Sequence, residues 1–176
     1  DLESKITNRT KCVIINSPSN PSGVVYNEKT VGDVTALLRK KEQEYGHEIY
    51  LIADEPYREL VYSGVTVPFI PNFYDYLMNY YDDTIVCYSY SKALSLPGER
   101  IGYIAVCPKM KDNRKVYLAV CGAGRSLGYV CAPSLFQQVI ARTINAKVDV
   151  NIYKQNRDIL YNGLTEMGYD CVKPDG

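Results

Sequence analysis

Lys92 stands four residues beyond the end of a short β-branched run, Thr84-Ile85-Val86-Cys87-Tyr88, from which Ser89-Tyr90-Ser91 separates it. A lysine just past the carboxyl end of a buried strand lies where open α/β sheets bind their ligands. If its surroundings lower its pKa, such an amine is a nucleophile that forms Schiff bases with carbonyl compounds. Eight residues on, Pro97-Gly98-Glu99-Arg100 turns the chain and presents a guanidinium, whose planar fork suits a phosphate. Ser89 and Ser91 add hydroxyls to the same stretch. Strand, hydroxyls, lysine and arginine together point to a carbonyl-bearing phosphate ligand.

Two further apolar runs end in polar groups. Lys11 to Asn16 breaks into Ser17-Pro18-Ser19-Asn20-Pro21-Ser22-Gly23, a loop whose prolines fix φ and disfavour helix before them. Glu48 to Ala53 runs into Asp54-Glu55-Pro56-Tyr57. Right-handed crossovers would set these two ends beside Lys92. The residue types are those a pyridine aldehyde phosphate requires. A carboxylate such as Asp54 facing the ring nitrogen keeps it protonated and makes the ring an electron sink. Tyr57 and Asn20 can hold the ring's phenolic oxygen, Lys92 the aldehyde, and Ser89 and Arg100 the phosphate. Taken singly, Asp54 reads equally as a helix N-cap, Asn20-Pro21-Ser22-Gly23 as a turn, and Arg100 as a surface ion pair.

The elements that must position these groups follow from the pattern of apolar residues. The runs at 11–16, 48–53 and 84–88 are continuous, as expected of buried parallel strands. Ile101 to Cys107 is a fourth strand, reached by a connection too short for a crossover helix and therefore antiparallel to its neighbour. From Glu28 to Tyr45, Val31, Val34, Leu37, Leu38 and Tyr45 recur at helical spacing. Tyr62 to Asp82 is irregular and rich in proline and tyrosine, with a short helix near Tyr74 to Asn79. Lys109 to Ala119 reads as helical, and Gly122-Ala123-Gly124-Arg125-Ser126-Leu127-Gly128 as a flexible connection. Pro133 to Asn145 and Val148 to Met167 are amphipathic helices, the second capped by Gly168. Together these give an α/β fold with a mostly parallel sheet of about four strands, covered by the helices starting at Glu28, Pro133 and Val148.

Composition narrows the function classes. Twenty acidic and twenty basic residues balance, which argues against nucleic acid or an anionic membrane as partner. No apolar run approaches the roughly 20 residues that span a bilayer. The six cysteines form no C-x-x-C pair, and Cys12, Cys87 and Cys107 lie in apolar runs, so core thiols in a reducing, cytoplasmic compartment are expected. With His47 as the single histidine, neither a zinc site nor a Ser-His-Asp triad is expected.

Four stretches, Asn16-Ser17-Pro18-Ser19-Asn20-Pro21-Ser22-Gly23, Asp54-Glu55-Pro56-Tyr57, Ser89-Tyr90-Ser91-Lys92 and Gly98-Glu99-Arg100-Ile101-Gly102, resemble in order and spacing the class I and II aminotransferases. These are fold-type-I enzymes that depend on pyridoxal phosphate. The resemblance implies that Lys92 is the Schiff-base lysine and proton shuttle, and that Asp54 pairs with the pyridine nitrogen. It implies that Tyr57 and Asn20 bind the 3′-oxygen, and that Ser89, Ser91 and Arg100 bind phosphate. It further implies amino acid and 2-oxo acid substrates and a homodimer for the whole protein. By the same resemblance, residues 1–176 correspond to the carboxyl half of the family's large domain, without its N-terminal part or the small domain, and inactive alone. A C–S β-lyase on the same scaffold, or an aminotransferase-like sensor domain of a transcription regulator, would share these residues.

Overall fold

Four strands form one sheet in the order β1-β2-β3-β4, comprising β1 (Cys12–Asn16), β2 (Tyr50–Asp54), β3 (Thr84–Ser89) and β4 (Gly102–Val106). The computed structural model describes residues 1–68, 70 and 80–176. The short helix expected near 74–79 falls outside these residues. β1 pairs with β2 and β2 with β3 in parallel, while β4 runs antiparallel to β3. No crossover helix joins β3 to β4; the four-residue helix α2, Tyr90–Ala93, and a turn reverse the chain there.

The first crossover is helix α1, Glu28–Tyr45. Asn27 caps it by accepting a hydrogen bond from the Thr30 amide, and Gly46 ends it with φ of 71°, the left-handed conformation that glycine adopts most readily. Its Val31, Thr35 and Leu38 are buried. Val31 and Leu38 join Ile15, Leu51, Ala53 and Val86 in one core cluster. Strand residues alternate between faces, so Ile15, Leu51, Ala53 and Val86 look toward α1. The opposite face carries a cross-strand row, Ile14, Ile52, Ile85 and Val106, aligned by the strand register.

That second face is open: Ile14 is 68% and Ile104 54% exposed. The expectation that three helices cover the sheet is therefore met by α1 alone. Helix α4 (Ser134–Thr143) buries only Ile140, and α5 (Asn151–Glu166) buries no residue. Helical periodicity shows that a face is apolar without showing what it meets.

Two other expectations change. The helix expected over 109–119 is α3, Asn113–Ser126, and it continues through Gly122 and Gly124. Each glycine weakens a helix without forbidding it. The stop comes at Gly128, where Gly128 N–H donates to Arg125 O and Tyr129 N–H to Gly124 O, the paired bonds of a Schellman ending. Among the three cysteines expected in the core, only Cys107 is buried; Cys12 is exposed and Cys87 half-buried. Cys87 shares the open face with Asp54 and Ile104, its neighbours in register.

Candidate active site

Parallel pairing brings the carboxyl ends of β1, β2 and β3 to one edge of the sheet. Asn16 lies opposite Asp54, and Asp54 opposite Cys87. From this edge emerge the loop after β1, the turn after β2 and the Ser89–Lys92 segment, so three separate parts of the sequence meet there.

Asn16 is the joint between the first two. Its Nδ2 donates to Asp54 Oδ2 and to Asp54 O, both at 3.1 Å, and its Oδ1 accepts from the Asn20 amide at 2.6 Å. Asn20 Nδ2 in turn donates to Tyr57 Oη at 3.0 Å. A continuous hydrogen-bonded chain thus runs from Asp54 through Asn16 and Asn20 to Tyr57. Burial raises the Asp54 pKa above the ordinary carboxylate value, and the Asn16 amide pulls it partly back.

The loop carrying Asn20 folds on itself, Ser19 N–H donating to Val24 O and Gly23 N–H to Ser19 O. Its Ser17–Pro18 and Asn20–Pro21 bonds are cis, and the Pro18 side chain is fully buried. Tyr57 sits in a turn pinned by an ion pair. Glu55, only 4% exposed, accepts from Arg58 Nε at 2.7 Å, while the guanidinium also donates to Val67 O and Pro68 O. A buried carboxylate requires this kind of compensation.

Lys92 lies in the four-residue helix after β3, with Nζ 5.6 Å from the centre of the Tyr57 ring. A pocket of about 360 Å³ is lined by Lys92, Tyr57, Asn20, Pro21, Leu60 and Gly176, among others. This volume lies within the range of small-ligand sites. Ser89 Oγ accepts from the Ser91 amide at 3.0 Å and donates to Ser91 Oγ at 2.6 Å. Arg100 has φ of 51°, and its Nη1 donates to Pro97 O.

Of the residues singled out in the sequence, Asn20, Tyr57 and Lys92 therefore share one pocket. Asp54 joins them through Asn16, and Ser89 and Ser91 pair with each other beside Lys92. Asp54, Ser89, Ser91 and Arg100 are not in the pocket wall. Asn16 received no separate role in the sequence; its signal was a polar residue closing an apolar strand next to another such strand.

A mixed α/β sheet that gathers an amine, a carboxylate, a phenol and an amide at the carboxyl edge of its parallel strands defines a small-molecule site of the open-sheet class. The chain belongs to the class I and II aminotransferases: that family's model matches residues 1–176. It is 32% identical over 180 residues to the probable N-acetyl-LL-diaminopimelate aminotransferase of Bacillus subtilis, covering 99% of this chain and 41% of that protein. An amino transferase structure from Eubacterium rectale superposes with a TM-score of 0.92 at 58% identity, over 99% of this chain and 42% of that one. The N-succinyldiaminopimelate aminotransferase structure of Mycobacterium tuberculosis gives 0.76 at 26% identity, over 99% and 42%. The chain thus spans about two fifths of the length of these relatives. Among the described residues, no helix is long and apolar enough to cross a membrane.

Proposed function

We propose that this chain is the lysine-bearing part of a pyridoxal-phosphate-dependent aminotransferase, transferring an amino group between an L-amino acid and a 2-oxo acid. The observation that carries the proposal is the hydrogen-bonded chain from Asp54 through Asn16 and Asn20 to Tyr57, ending at the pocket that Lys92 enters. By chemical type the side chains singled out match the cofactor's groups, Asn20, Tyr57 and Lys92 from the pocket wall and the others from outside it. Lys92 Nζ is the amine for the aldehyde, and Tyr57 Oη and Asn20 Nδ2 are donors for the ring oxygen. The Asp54 carboxylate holds a proton on the ring nitrogen, and the Ser89 and Ser91 hydroxyls with the Arg100 guanidinium take the phosphate.

Once bound, pyridoxal phosphate supplies an electron sink that stabilises negative charge at the substrate Cα. The protein's part is positioning and proton transfer. Lys92 would carry the proton between the substrate Cα and C4′ of the cofactor, its amine neutral when it takes the proton up. Asp54, whose unpaired carboxylate is disfavoured by burial, would regain its charge beside a cationic ring nitrogen and hold the proton there. Asn20 fixes the Tyr57 hydroxyl that it touches.

In this reading, residues 1–176 form the carboxyl half of a large domain, and the whole protein is a cytoplasmic homodimer with a small domain completing its substrate site. The coverage of about two fifths of each relative supports the first part of that reading, a chain that matches part of a longer protein. The test is an assay of the whole protein with a panel of L-amino acids and 2-oxoglutarate. Glutamate formation that disappears in Lys92→Ala is expected. Release of pyruvate and ammonia from cystathionine, without use of a 2-oxo acid, would place the protein among the C–S lyases instead. Cofactor binding with neither reaction would favour a sensor domain.

A further inference from the structure

The pocket has a wall that the sequence reading left without a role. Pro174-Asp175-Gly176 lies across two segments far from it in sequence. Asp175 N–H donates to Gly23 O at 2.7 Å and Gly176 N–H to the same oxygen at 3.1 Å. Asp175 Oδ2 accepts from Val25 N–H at 3.1 Å, gripping the Asn20 loop a second time. On its other side, Asp175 O accepts from Tyr62 N–H at 3.0 Å, holding the end of the turn that begins at Tyr57. Asp175 thus bonds to both segments whose tips meet in the Asn20–Tyr57 hydrogen bond.

The contact is close as well as hydrogen-bonded. Gly23 has φ of 67°, and a Cβ placed there would lie 2.6 Å from Pro174 Cβ and 2.7 Å from Gly176 O. Gly176 borders the pocket, and a Cβ on it would meet Leu60 O at 2.5 Å. The strap is anchored from behind by α5: Arg157 Nη1 donates to Pro174 O at 2.6 Å, and the guanidinium lies 4.3 Å from the centre of the Tyr62 ring. The backbone bonds could be made by many residues at position 175. The bond to Val25 N–H needs a short side-chain acceptor at 175, which aspartate supplies and alanine does not.

We propose that Asp175 is a positioning residue of this site, tying the Asn20 loop to the Tyr57 turn so that the Asn20 amide and Tyr57 hydroxyl are held together for a ligand. The proposal rests on the function argued above for the ligand's identity, but not for the strap itself. Removing the side chain frees Val25 N–H and loosens the loop. Two donors that must converge on one oxygen then lose their fixed separation, which weakens binding more than it weakens folding.

Hydrogen–deuterium exchange of the cofactor-free whole protein, followed on peptides covering 17–26, tests the strap directly. Titration with pyridoxal phosphate tests its consequence. In Asp175→Ala, faster exchange across 17–26 is expected, with affinity for pyridoxal phosphate lowered about five- to tenfold, the loss expected for one hydrogen bond. Asp175→Asn keeps an acceptor oxygen for Val25 N–H and should restore both readouts. Gly23→Ala, which displaces the strap sterically, should raise exchange in the same peptides. Unchanged exchange in Asp175→Ala, or a defect that Asp175→Asn does not rescue, would overturn the proposal. A wild-type protein that exchanges as described yet binds no pyridoxal phosphate would instead refute the functional reading and leave the strap standing.

Discussion

In the proposed function Asp54 serves binding at a cost to folding. Its carboxylate is driven toward the neutral form by burial and restrained by Asn16. Because its folded pKa is raised, the folded state binds more protons than the unfolded one between the two values. Stability from this group is therefore full at low pH and falls as pH rises through that window. In the cofactor-free protein, Asp54→Asn should flatten the fall in thermal midpoint from roughly pH 4 upward, where an ordinary aspartate ionises. The same variant should lose turnover by several orders of magnitude in the whole enzyme, each tenfold corresponding to about 1.4 kcal/mol. A variant with wild-type turnover would place Asp54 outside the chemistry. The residue types at Asn20, Asp54, Tyr57, Ser89 and Lys92 were legible because each follows an apolar run at a strand end. Asn16 and Asp175 were not, since their roles depend on strand register and on a contact spanning 150 residues.

Among the elements, the sheet was more legible than the helices. Its parallel strands follow from the continuous apolar runs, and the antiparallel β4 from the short β3–β4 connection. The glycine-containing stretch at 122–128 was misread because composition outweighed the apolar spacing that continues through it. Two glycines at these elements respond oppositely to the same substitution. A Cβ on Gly102 would lie 2.3 Å from Tyr88 O, in the backbone of the neighbouring strand. Gly102→Ala should therefore push β4 from β3 and cost roughly 1–3 kcal/mol in urea unfolding, as overpacking does. Gly122 lies within α3 with nothing within 4 Å of its would-be Cβ. Gly122→Ala should stabilise by about 0.5–1 kcal/mol, by restricting the unfolded chain. Equal effects at both sites would mean that the β3–β4 contact is looser than described.

At the scale of the whole molecule, the prominent feature is the open sheet face, with Ile14 and Ile104 exposed on either side of Ile52 and Ile85. Sequence periodicity marked these positions as apolar but could not reveal that Ile14 and Ile104 stay exposed among the described residues. An apolar face of this kind promotes association. On its own, the 176-residue chain should elute above the mass of one copy, bind pyridoxal phosphate weakly and catalyse no transamination. Ile14→Lys with Ile104→Lys should shift it toward the monomer; a monomeric parent chain would contradict this account of the face. The central claim concerns Lys92, and borohydride reduction of the cofactor-loaded whole protein tests it most directly. Digestion and mass spectrometry should find the pyridoxyl group on Lys92 and no labelled peptide in Lys92→Ala, whereas a pyridoxyl group on any other lysine would contradict the account.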